Sequence, residues 1–269
     1  MARMDYPIDF ASDDREPLQR ELNALYEYDN DLPSRVLHRA RLNLFVMLTR
    51  QLVKRGVIRQ FGSALDIGCN AGFYSHLISG LGFRQVLGVD VVPSMIESAT
   101  RRFAEAATDH RVEFKLMAAE DLPVTPGVDF LLCTEVIEHT QQPARVIEII
   151  RSILNPGGIA VVSLPNRLSL PYLTAWATYR LRRSPRHEDF ERHLEFPCTR
   201  TLGLFAGADR RVVASSGTNL IWDGRLLRLL HGTAMFPILN RIQFELGRRA
   251  PFKFATQFFY VVIRRDGGA

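Results

Sequence analysis

Hydrophobic and polar positions alternate in a regular order between residues 61 and 166. Short apolar runs rich in β-branched residues predict buried strands, and apolar residues recur at helical spacing between these runs. The predicted strands cover residues 64–67, 85–89, 112–116, 128–133 and 158–164, and the predicted helices cover residues 74–81, 93–106 and 143–154. Because a parallel crossover needs a helix that buries its apolar stripe, this order predicts a doubly wound parallel α/β sheet.

The regular order is absent on either side of this core. Apolar spacing predicts a helix over residues 34–56, and an aromatic, basic stretch at 168–183 is typical of an amphipathic insertion. A second apolar stretch with arginines, at 226–239, is also predicted to be helical, and β-like runs cover 211–215 and 258–264. The expected division is 1–60 for an N-terminal helical lead-in or lid, 61–166 for the core, 167–200 for the insertion and 201–269 for the rest of the same domain, with a helical insertion at 219–254.

Composition limits the setting and the partners of the chain. With 46% hydrophobic and 23% charged residues among 269, the chain has ordinary globular composition. No apolar run is long enough for a bilayer and no signal-peptide core is visible, so a cytoplasmic location is expected. The cysteines lie far apart, which favours neither a disulfide framework nor a zinc site. A formal charge of +5 permits an acidic partner, and the arginine-rich stretches fit either a basic face or solvated surface.

A glycine-containing turn follows the first predicted strand, in the sequence LDIGCNAG at residues 65–72. Ligands of open α/β sheets bind beyond the carboxyl ends of such strands. Gly68 and Gly72 lack the Cβ that would keep a ligand away from the backbone. Asp66 would complement an ammonium group, directly or through water. These features suit a methyl donor that carries an amino acid, a sulfonium and a nucleoside.

Two further positions separate this interpretation from a nicotinamide-dependent dehydrogenase. The dinucleotide fingerprint is GxGxxG, and Asn70 stands where its second glycine belongs. Asp90 ends the second predicted strand at a distance that suits a ribose diol, since a carboxylate can accept from both hydroxyls. Considered alone, such an acid is as readily a helix cap or a solvated loop residue. Its spacing from Asp66, Gly68 and Gly72 favours the ribose role.

Five segments in this order resemble the class I S-adenosylmethionine (SAM)-dependent methyltransferases. They are DIGCNAG, GVDVVPSMIESA, AAEDLP, CTEVIEH and LNPGGIAVVSLPN, between residues 66 and 166. The resemblance implies a Rossmann-like seven-stranded sheet with an antiparallel last strand, helical lid insertions and SAM as cofactor. It assigns cofactor contacts to Asp66, Gly68, Cys69, Asn70, Gly72, Asp90, Val91, Glu120 and Thr134. Many relatives have an aspartate near adenine where this chain has Ala118 and Ala119, so Glu120 or backbone groups would serve there.

A second group of polar residues follows the fourth predicted strand. Glu135, Glu138 and His139 lie where the methyl group and its acceptor should meet. They fit either local hydrogen bonding at a helix start or, with His187 or His193, a mixed oxygen and nitrogen site for Mg²⁺. Such a cation would lower the pKa of an acceptor hydroxyl. Without a metal, one of the histidines could act as a general base.

The EVIEH sequence followed by a later histidine is similar to the pattern of two metal-associated groups of O-methyltransferases. The ubiquinone-biosynthesis O-methyltransferases are the more similar, because an SLPNR-like strand end leads into an aromatic, basic insertion there as it does at residues 163–187. The small-RNA 2′-O-methyltransferases are only faintly similar, at residues 192–196. Under this resemblance Glu135, Glu138, His139 and His187 are the candidate catalytic residues.

The expected activity is SAM-dependent methyl transfer to a small, aromatic or hydrophobic acceptor, more readily at oxygen than at nitrogen. The alternatives are an RNA 2′-O-methyltransferase and a non-catalytic SAM-binding or lipid-associated scaffold. The stretches 168–183 and 226–249 combine apolar residues with arginines, as interfacial helices do, so a peripheral membrane contact is one interpretation and a lid over the site is the other.

Overall fold

The computed structural model describes residues 32–103, 111–125, 127–182, 198–222 and 224–267. In chain order the strands are β1 (Ser63–Ile67), β2 (Gln85–Asp90), β3 (Arg111–Leu116), β4 (Val128–Thr134), β5 (Leu154–Pro165), β6 (Arg210–Thr218) and β7 (Phe258–Arg265). The helices are α1 (Leu32–Lys54), α2 (Phe73–Gly80), α3 (Pro93–Phe103), α4 (Pro143–Ser152), α5 (Leu170–Arg182), α6 (Cys198–Leu204), α7 (Gly224–Leu230) and α8 (Met235–Gly247). Short 3-10 turns cover Ala119–Asp121, Ile137–His139 and Phe252–Ala255.

Within the described residues, seven strands form one sheet in the order β3-β2-β1-β4-β5-β7-β6. Strands β1 to β5 pair in parallel, and Leu65 of β1 lies beside both Leu87 of β2 and Leu131 of β4. The last strand, β7, is antiparallel, which confirms the predicted fold class. The chain adds β2 and β3 on one side of β1 and β4 and β5 on the other. The carboxyl ends of β1 and β4 therefore flank the reversal of strand order where open α/β sheets bind ligands.

The central strands are buried on both faces. Residues 130–133 in β4 and 159–162 in β5 are buried without interruption, so the sequence reads as continuous apolar runs instead of alternating ones. Helix α4 contacts β5 and buries Val146, Ile149 and Ile150 at helical spacing. This packing fixes the strand ends that carry the polar residues of interest.

Some boundaries differ from those expected from the sequence. Strand β5 begins at Leu154 and not at 158, because residues 154–158 continue beside β4 through an irregular register between Val128 and Phe130. The predicted single helical insertion is two helices, α7 and α8, separated by a turn at Gly232 with a φ of 82°. Helix α6 was not expected from the sequence. The last three positions of the predicted helix 93–106 lie outside the described residues.

The described residues divide into two compact units. The sheet-core unit contains residues 50–103, 111–125, 127–165, 198–215 and 260–267. The helical unit contains residues 32–49, 166–182, 216–222 and 224–259. The candidate cofactor residues all belong to the sheet-core unit, whereas both predicted interfacial stretches, as far as they are described, belong to the helical unit. None of the described helices combines the length and the apolar character that crossing a bilayer would need.

Candidate cofactor and active site

The turn after β1 has a left-handed backbone at Gly68 (φ 72°), Asn70 (φ 52°) and Gly72 (φ 84°). The amides of Gly68 and Cys69 donate hydrogen bonds to the carbonyl of Val89, at 2.8 and 3.0 Å. Because Val89 lies at the end of β2, these bonds tie the turn after β1 to the neighbouring strand. The turn is therefore a fixed backbone surface at the carboxyl edge of the sheet.

The two glycines of the turn are also required by packing. A Cβ on Gly68 would lie 2.3 Å from Cγ2 of Val136, and a Cβ on Gly72 would lie 2.6 Å from Cζ of Phe114. Both distances are far inside van der Waals contact, and both glycines have positive φ, which disfavours any L side chain. Sequence reasoning explained these glycines by ligand approach and by positive φ, and the structure adds close packing within the protein as a further reason.

Asp90 joins the turns that follow β1 and β2. Its Oδ2 accepts from the amide of Asn70 at 2.8 Å, and its Oδ1 accepts from the amide of Val92 at 3.0 Å. A carboxylate oxygen can accept more than one hydrogen bond, so each oxygen retains capacity for a hydroxyl. The cap role and the ribose role, which the sequence left as alternatives, are therefore compatible.

Asp66 is a buried carboxyl group, 2% exposed, inside β1. The hydroxyl of Ser75, in the first turn of α2, donates to its Oδ2 at 2.6 Å. Burial raises the pKa of Asp66 to about 7, the hydrogen bond from Ser75 opposes that rise, and the charge of Asp90 adds to it. A cation placed beside this group would favour its ionised form. The environment of Asp66 thus suits a ligand that carries an ammonium group.

The remaining predicted cofactor residues occupy the same edge. Glu120 accepts, through Oε1, from the amides of Gln141 and Gln142 at 2.9 and 3.2 Å, so it also holds the start of α4. Val91 is exposed beyond Asp90, and Thr134 is half-buried at the end of β4.

Burial rules out a reactive role for two cysteines near this edge. Cys69 lies in the turn after β1 and Cys133 lies in β4, and both are buried. Burial raises the pKa of both thiols well above the usual range, and nearby carboxylates add to the effect. Neither thiol is a nucleophile at neutral pH.

Glu135 follows β4 in an unusual backbone conformation. Its φ is 55°, a left-handed value that is uncommon for a residue other than glycine. The hydroxyl of Ser163 donates to Oε1 of Glu135 at 2.7 Å, and the amide of Glu135 donates to the carbonyl of Ser163. The parallel register that places Ser163 beside Thr134 brings these groups together. Backbone strain of this kind concentrates at functional sites, where surrounding contacts maintain it.

Glu138 and His139 lie in the 3-10 turn that follows Glu135. Glu138 is buried, His139 is exposed, and Nε2 of His139 is 3.9 Å from Oε1 of Glu138. Among the described residues, no group of three or more His, Cys, Asp or Glu side chains is arranged to hold a metal ion. His187 and His193, the other predicted metal ligands, lie outside the described residues. A magnesium site that includes either histidine stays a prediction.

Sequence reasoning missed Ser75 and Ser163. Both are buried serines whose hydroxyls orient predicted carboxylates, Asp66 and Glu135. Ser75 could have been noticed, because it lies in the first turn of the helix that opens at the glycine turn. Ser163 offers no comparable signal, since its pairing with Glu135 depends on the register of β4 and β5.

The strand order, the antiparallel last strand and the anchored glycine turn are the arrangement that the resemblance to class I SAM-dependent methyltransferases implies. Residues 65–162 match a family model described as a methyltransferase domain. The resemblance inferred from the sequence motifs is confirmed for this part of the chain.

Two curated proteins similar to this chain are both named ubiquinone biosynthesis O-methyltransferase. The protein of Xanthomonas campestris pv. campestris (strain B100) is 32% identical over 113 residues, which are 41% of this chain and 46% of that protein. The protein of Paraburkholderia xenovorans (strain LB400) is 35% identical over 115 residues, or 42% of this chain and 48% of that protein. The chain thus spans about half the length of the curated relatives it matches.

A solved structure with a similar fold is the magnesium protoporphyrin IX methyltransferase of Synechocystis PCC 6803 with bound SAH. The TM-score is 0.59 at 14% sequence identity, over 86% of this chain and 85% of that one. At this identity the likeness shows the fold and nothing about the acceptor. It extends well beyond the residues that the family model matches.

Proposed function

We propose that this protein is an enzyme that transfers a methyl group from SAM to a small aromatic or hydrophobic acceptor, at oxygen. The observation that carries the proposal is the carboxyl edge of β1 and β2. There a buried acid, a fixed glycine turn and a second acid tied to that turn lie together. These groups match the ammonium, the backbone contacts and the ribose hydroxyls of one ligand.

Each part of the cofactor has a partner of suitable chemistry in the sheet-core unit. Asp66, buried and held by Ser75, would pair with the ammonium group. Asp90 would accept from the ribose hydroxyls while its two backbone bonds keep it in place. The exposed side chain of Val91 offers an apolar contact for the adenine ring. Because the turn is already tied to β2, little ordering is needed when the ligand binds.

When bound, SAM supplies an electrophilic methyl group that passes to the acceptor oxygen and leaves S-adenosylhomocysteine (SAH). The chain must orient the acceptor and remove the proton from its hydroxyl. Glu135 is the best-positioned proton acceptor among the described candidates, because Ser163 fixes its carboxylate at the end of β4. His139 follows within one turn, 3.9 Å from the buried carboxylate of Glu138, and its ring N–H would donate a hydrogen bond to the acceptor oxygen as negative charge develops there.

The acceptor class rests on the names of the curated relatives and on the residues after β4. Both relatives described above are O-methyltransferases of ubiquinone biosynthesis by name, and the match is confined to about two fifths of this chain. A phenolic hydroxyl needs a base or a cation to lose its proton, and two carboxylates and a histidine follow β4. Methyl transfer to an amine needs little more than orientation. The acids after β4 therefore favour oxygen.

Calorimetric titration with SAH tests the cofactor half of the proposal. Wild type should bind in the micromolar range, and Asp90→Ala should lose binding while it retains the circular dichroism spectrum of the wild type. A folded wild-type protein that binds no SAH would refute the proposal. SAH binding that Asp90→Ala leaves unchanged would refute the assignment of the site.

A second experiment tests the acceptor. The protein is incubated with labelled SAM and with catechols, quinone precursors, amines and short RNAs, with and without Mg²⁺. Labelled phenolic ethers are the expected products. Exclusive labelling of RNA or of amines would show that the acceptor is not a phenol. A dependence of the reaction on Mg²⁺ would support the metal site predicted from the sequence. SAH binding without turnover of any acceptor would favour the scaffold interpretation.

A further inference from the structure

Helix α8 in the helical unit buries two polar side chains together with Phe244 and Gly247. Its buried side carries two amides, Asn240 and Gln243. Oδ1 of Asn240 accepts from Nε1 of Trp222 at 2.9 Å, and Oε1 of Gln243 accepts from the amide of Leu220 at 2.9 Å. Nε2 of Gln243 also donates to Oδ1 of Asn240, at 3.2 Å. These buried amides are therefore satisfied by partners inside the unit, as buried polar groups require.

The outer side of α8 carries apolar residues in place of the expected polar ones. Met235, Ile238 and Ile242 are exposed and recur at helical spacing along one side of the helix. Ile238 is 60% exposed. A helix at a water-facing surface normally places its apolar stripe inward and its polar residues outward. The three apolar residues on the exposed side of α8 indicate that this side meets an apolar environment.

Helix α7, which precedes α8 in the chain, also exposes apolar residues. Leu226 and Leu229 are exposed, and Leu229 is 73% exposed although Leu227 beside it is buried. The exposed apolar set of the two helices is Leu226, Leu229, Met235, Ile238 and Ile242. Phe252 and Phe254, in the 3-10 turn after α8, add exposed aromatic surface. Isolated exposed apolar side chains are normal, whereas a set of this size on consecutive elements marks an interaction surface.

The charges of the same segment are almost all positive. Residues 224–254 contain six arginine or lysine residues and one acid, Glu245. That acid pairs with Arg248 at 2.9 Å and with Arg249 at 3.4 Å. Arg228 and Arg241 are exposed on α7 and α8, within the apolar set. The segment therefore presents apolar and cationic groups together and offers one acid, which is already in ion pairs with its own arginines.

We propose that α7 and α8 form a peripheral membrane-binding surface that lies in the interface of an anionic lipid bilayer. The exposed apolar set would enter the boundary between headgroups and acyl chains, and Arg228 and Arg241 would meet lipid phosphates. The helices lie along the membrane and do not cross it. Arginine stems can bury their methylenes beside the leucines while the guanidinium groups reach the headgroups. This binding needs neither SAM nor an acceptor, so it stands apart from the proposed function.

Sedimentation of the 269-residue chain with extruded vesicles tests the surface. Wild type should sediment with phosphatidylcholine vesicles that contain phosphatidylglycerol and remain in solution with phosphatidylcholine alone. The double variant Leu229→Ser, Ile238→Ser should bind roughly tenfold more weakly, because it removes two large apolar side chains from the bilayer. The double variant Arg228→Gln, Arg241→Gln should lose roughly thirtyfold, at about 1 kcal/mol for each cation near an anionic surface.

A matched control is available in the sheet-core unit. Leu116 is 57% exposed at the end of β3, outside the proposed surface, and Leu116→Ser should leave vesicle binding unchanged. A further variant, Ile238→Trp, reports contact with the membrane by a gain of signal. The tryptophan of Ile238→Trp should shift its fluorescence to shorter wavelength when anionic vesicles are added. Leu116→Trp should show no such shift.

Several outcomes would overturn the proposal. They are absence of binding to anionic vesicles, equal binding to neutral vesicles, and an Ile238→Trp emission that vesicles do not change. Light scattering after size exclusion examines the competing occupant, a second copy of the chain. A dimer that Leu229→Ser with Ile238→Ser dissociates, together with no vesicle binding, would show that the surface joins two copies.

Discussion

At the scale of single residues, a buried carboxyl group that faces a cationic ligand makes binding sensitive to pH. The pKa of Asp66 is raised to about 7, chiefly by burial, so below neutral pH most of the ligand-free protein carries a neutral Asp66. Under the proposed function, the ammonium group of SAH pairs with the ionised form of Asp66. Affinity for SAH should therefore fall roughly tenfold for each pH unit below 7.

Calorimetric titration from pH 5 to 8 measures this dependence. The Asp66→Asn variant should bind more weakly at pH 8, and its affinity should change little with pH because the titrating group is gone. Equal affinities of wild type at pH 5 and pH 8 would show that Asp66 does not face the ammonium group.

Ser163 should act on catalysis through Glu135. Its hydroxyl hydrogen-bonds the carboxylate at 2.7 Å, and such a bond stabilises the ionised form of an acid. Ser163→Ala should lower kcat/KM about tenfold or more, in line with the loss of a hydrogen bond to a charged group. It should also move the acid limb of the pH–rate profile to higher pH. Affinity for SAH should stay the same.

The control for this prediction is another buried serine. Ser79 lies near the end of α2, away from the acids after β4, and Ser79→Ala should leave the pH–rate profile unchanged. A Ser163→Ala variant that loses activity equally at every pH would point to a structural role. Recovery of the wild-type profile by Ser163→Thr would support the hydrogen bond as the cause.

Sequence spacing correctly placed residues whose position follows from local order, and it missed residues whose position depends on strand pairing. Asp66, Gly68, Gly72 and Asp90 stand at fixed distances from strand ends, so spacing alone brings them to one edge. Ser163 meets Glu135 only because β5 pairs with β4 in a particular register. Such a register is set by tertiary packing and cannot be read from either strand alone.

At the scale of elements, glycine is required at the position before α2 and is not required at the last position of that helix. Gly72 precedes the helix with a φ of 84°, and a Cβ there would lie 2.6 Å from Phe114. Gly80 ends the helix, and a Cβ there would meet nothing within 4 Å. Gly72→Ala should lower the free energy of unfolding by roughly 1–3 kcal/mol, from backbone strain and overpacking together.

Urea denaturation of both glycine variants measures the difference. Gly80→Ala should be neutral or stabilising by up to about 1 kcal/mol, because alanine has the higher helix propensity and no clash occurs. Equal stabilities of the two variants would show that the turn relaxes freely around Gly72. The turn would then be softer than its hydrogen bonds to β2 indicate.

Strands and helices were predicted correctly where one apolar pattern ran through the whole element, and their bounds were missed where tertiary packing extended or divided the element. The strands of the sheet core were found because buried parallel strands are continuous apolar runs. The start of β5 was missed because Pro156, Gly157 and Gly158 read as a helix stop, yet the strand runs through them. The sequence also did not predict which side of α8 faces inward, since its buried amides and its exposed apolar residues both recur at helical spacing.

At the scale of the whole molecule, the two units carry separate properties. The sheet-core unit holds the acids, the glycine turn and the residues after β4, and its sequence matches the methyltransferase family model. The helical unit holds the exposed apolar and basic surface of α7 and α8, which that model does not cover. Variants of Asp66 or Asp90 should therefore change SAH binding without changing vesicle binding, and variants of Leu229 or Ile238 should do the reverse.

Folding stability of the whole chain should also record the burial of Asp66. Its pKa is 3.8 in an unfolded chain and about 7 in the folded protein, so the folded state binds the proton more tightly. The stabilising contribution of this proton is complete below pH 3.8 and is lost as the pH rises to about 7. Between these limits, ligand-free Asp66→Asn should gain stability over wild type by roughly 1 kcal/mol for each pH unit. Urea denaturation at several pH values measures the difference. Ser75→Ala should extend this pH window upward, because the hydrogen bond from Ser75 lowers the pKa of Asp66 and its loss would raise that pKa. A stability difference between Asp66→Asn and wild type that does not depend on pH would contradict the buried state of this acid.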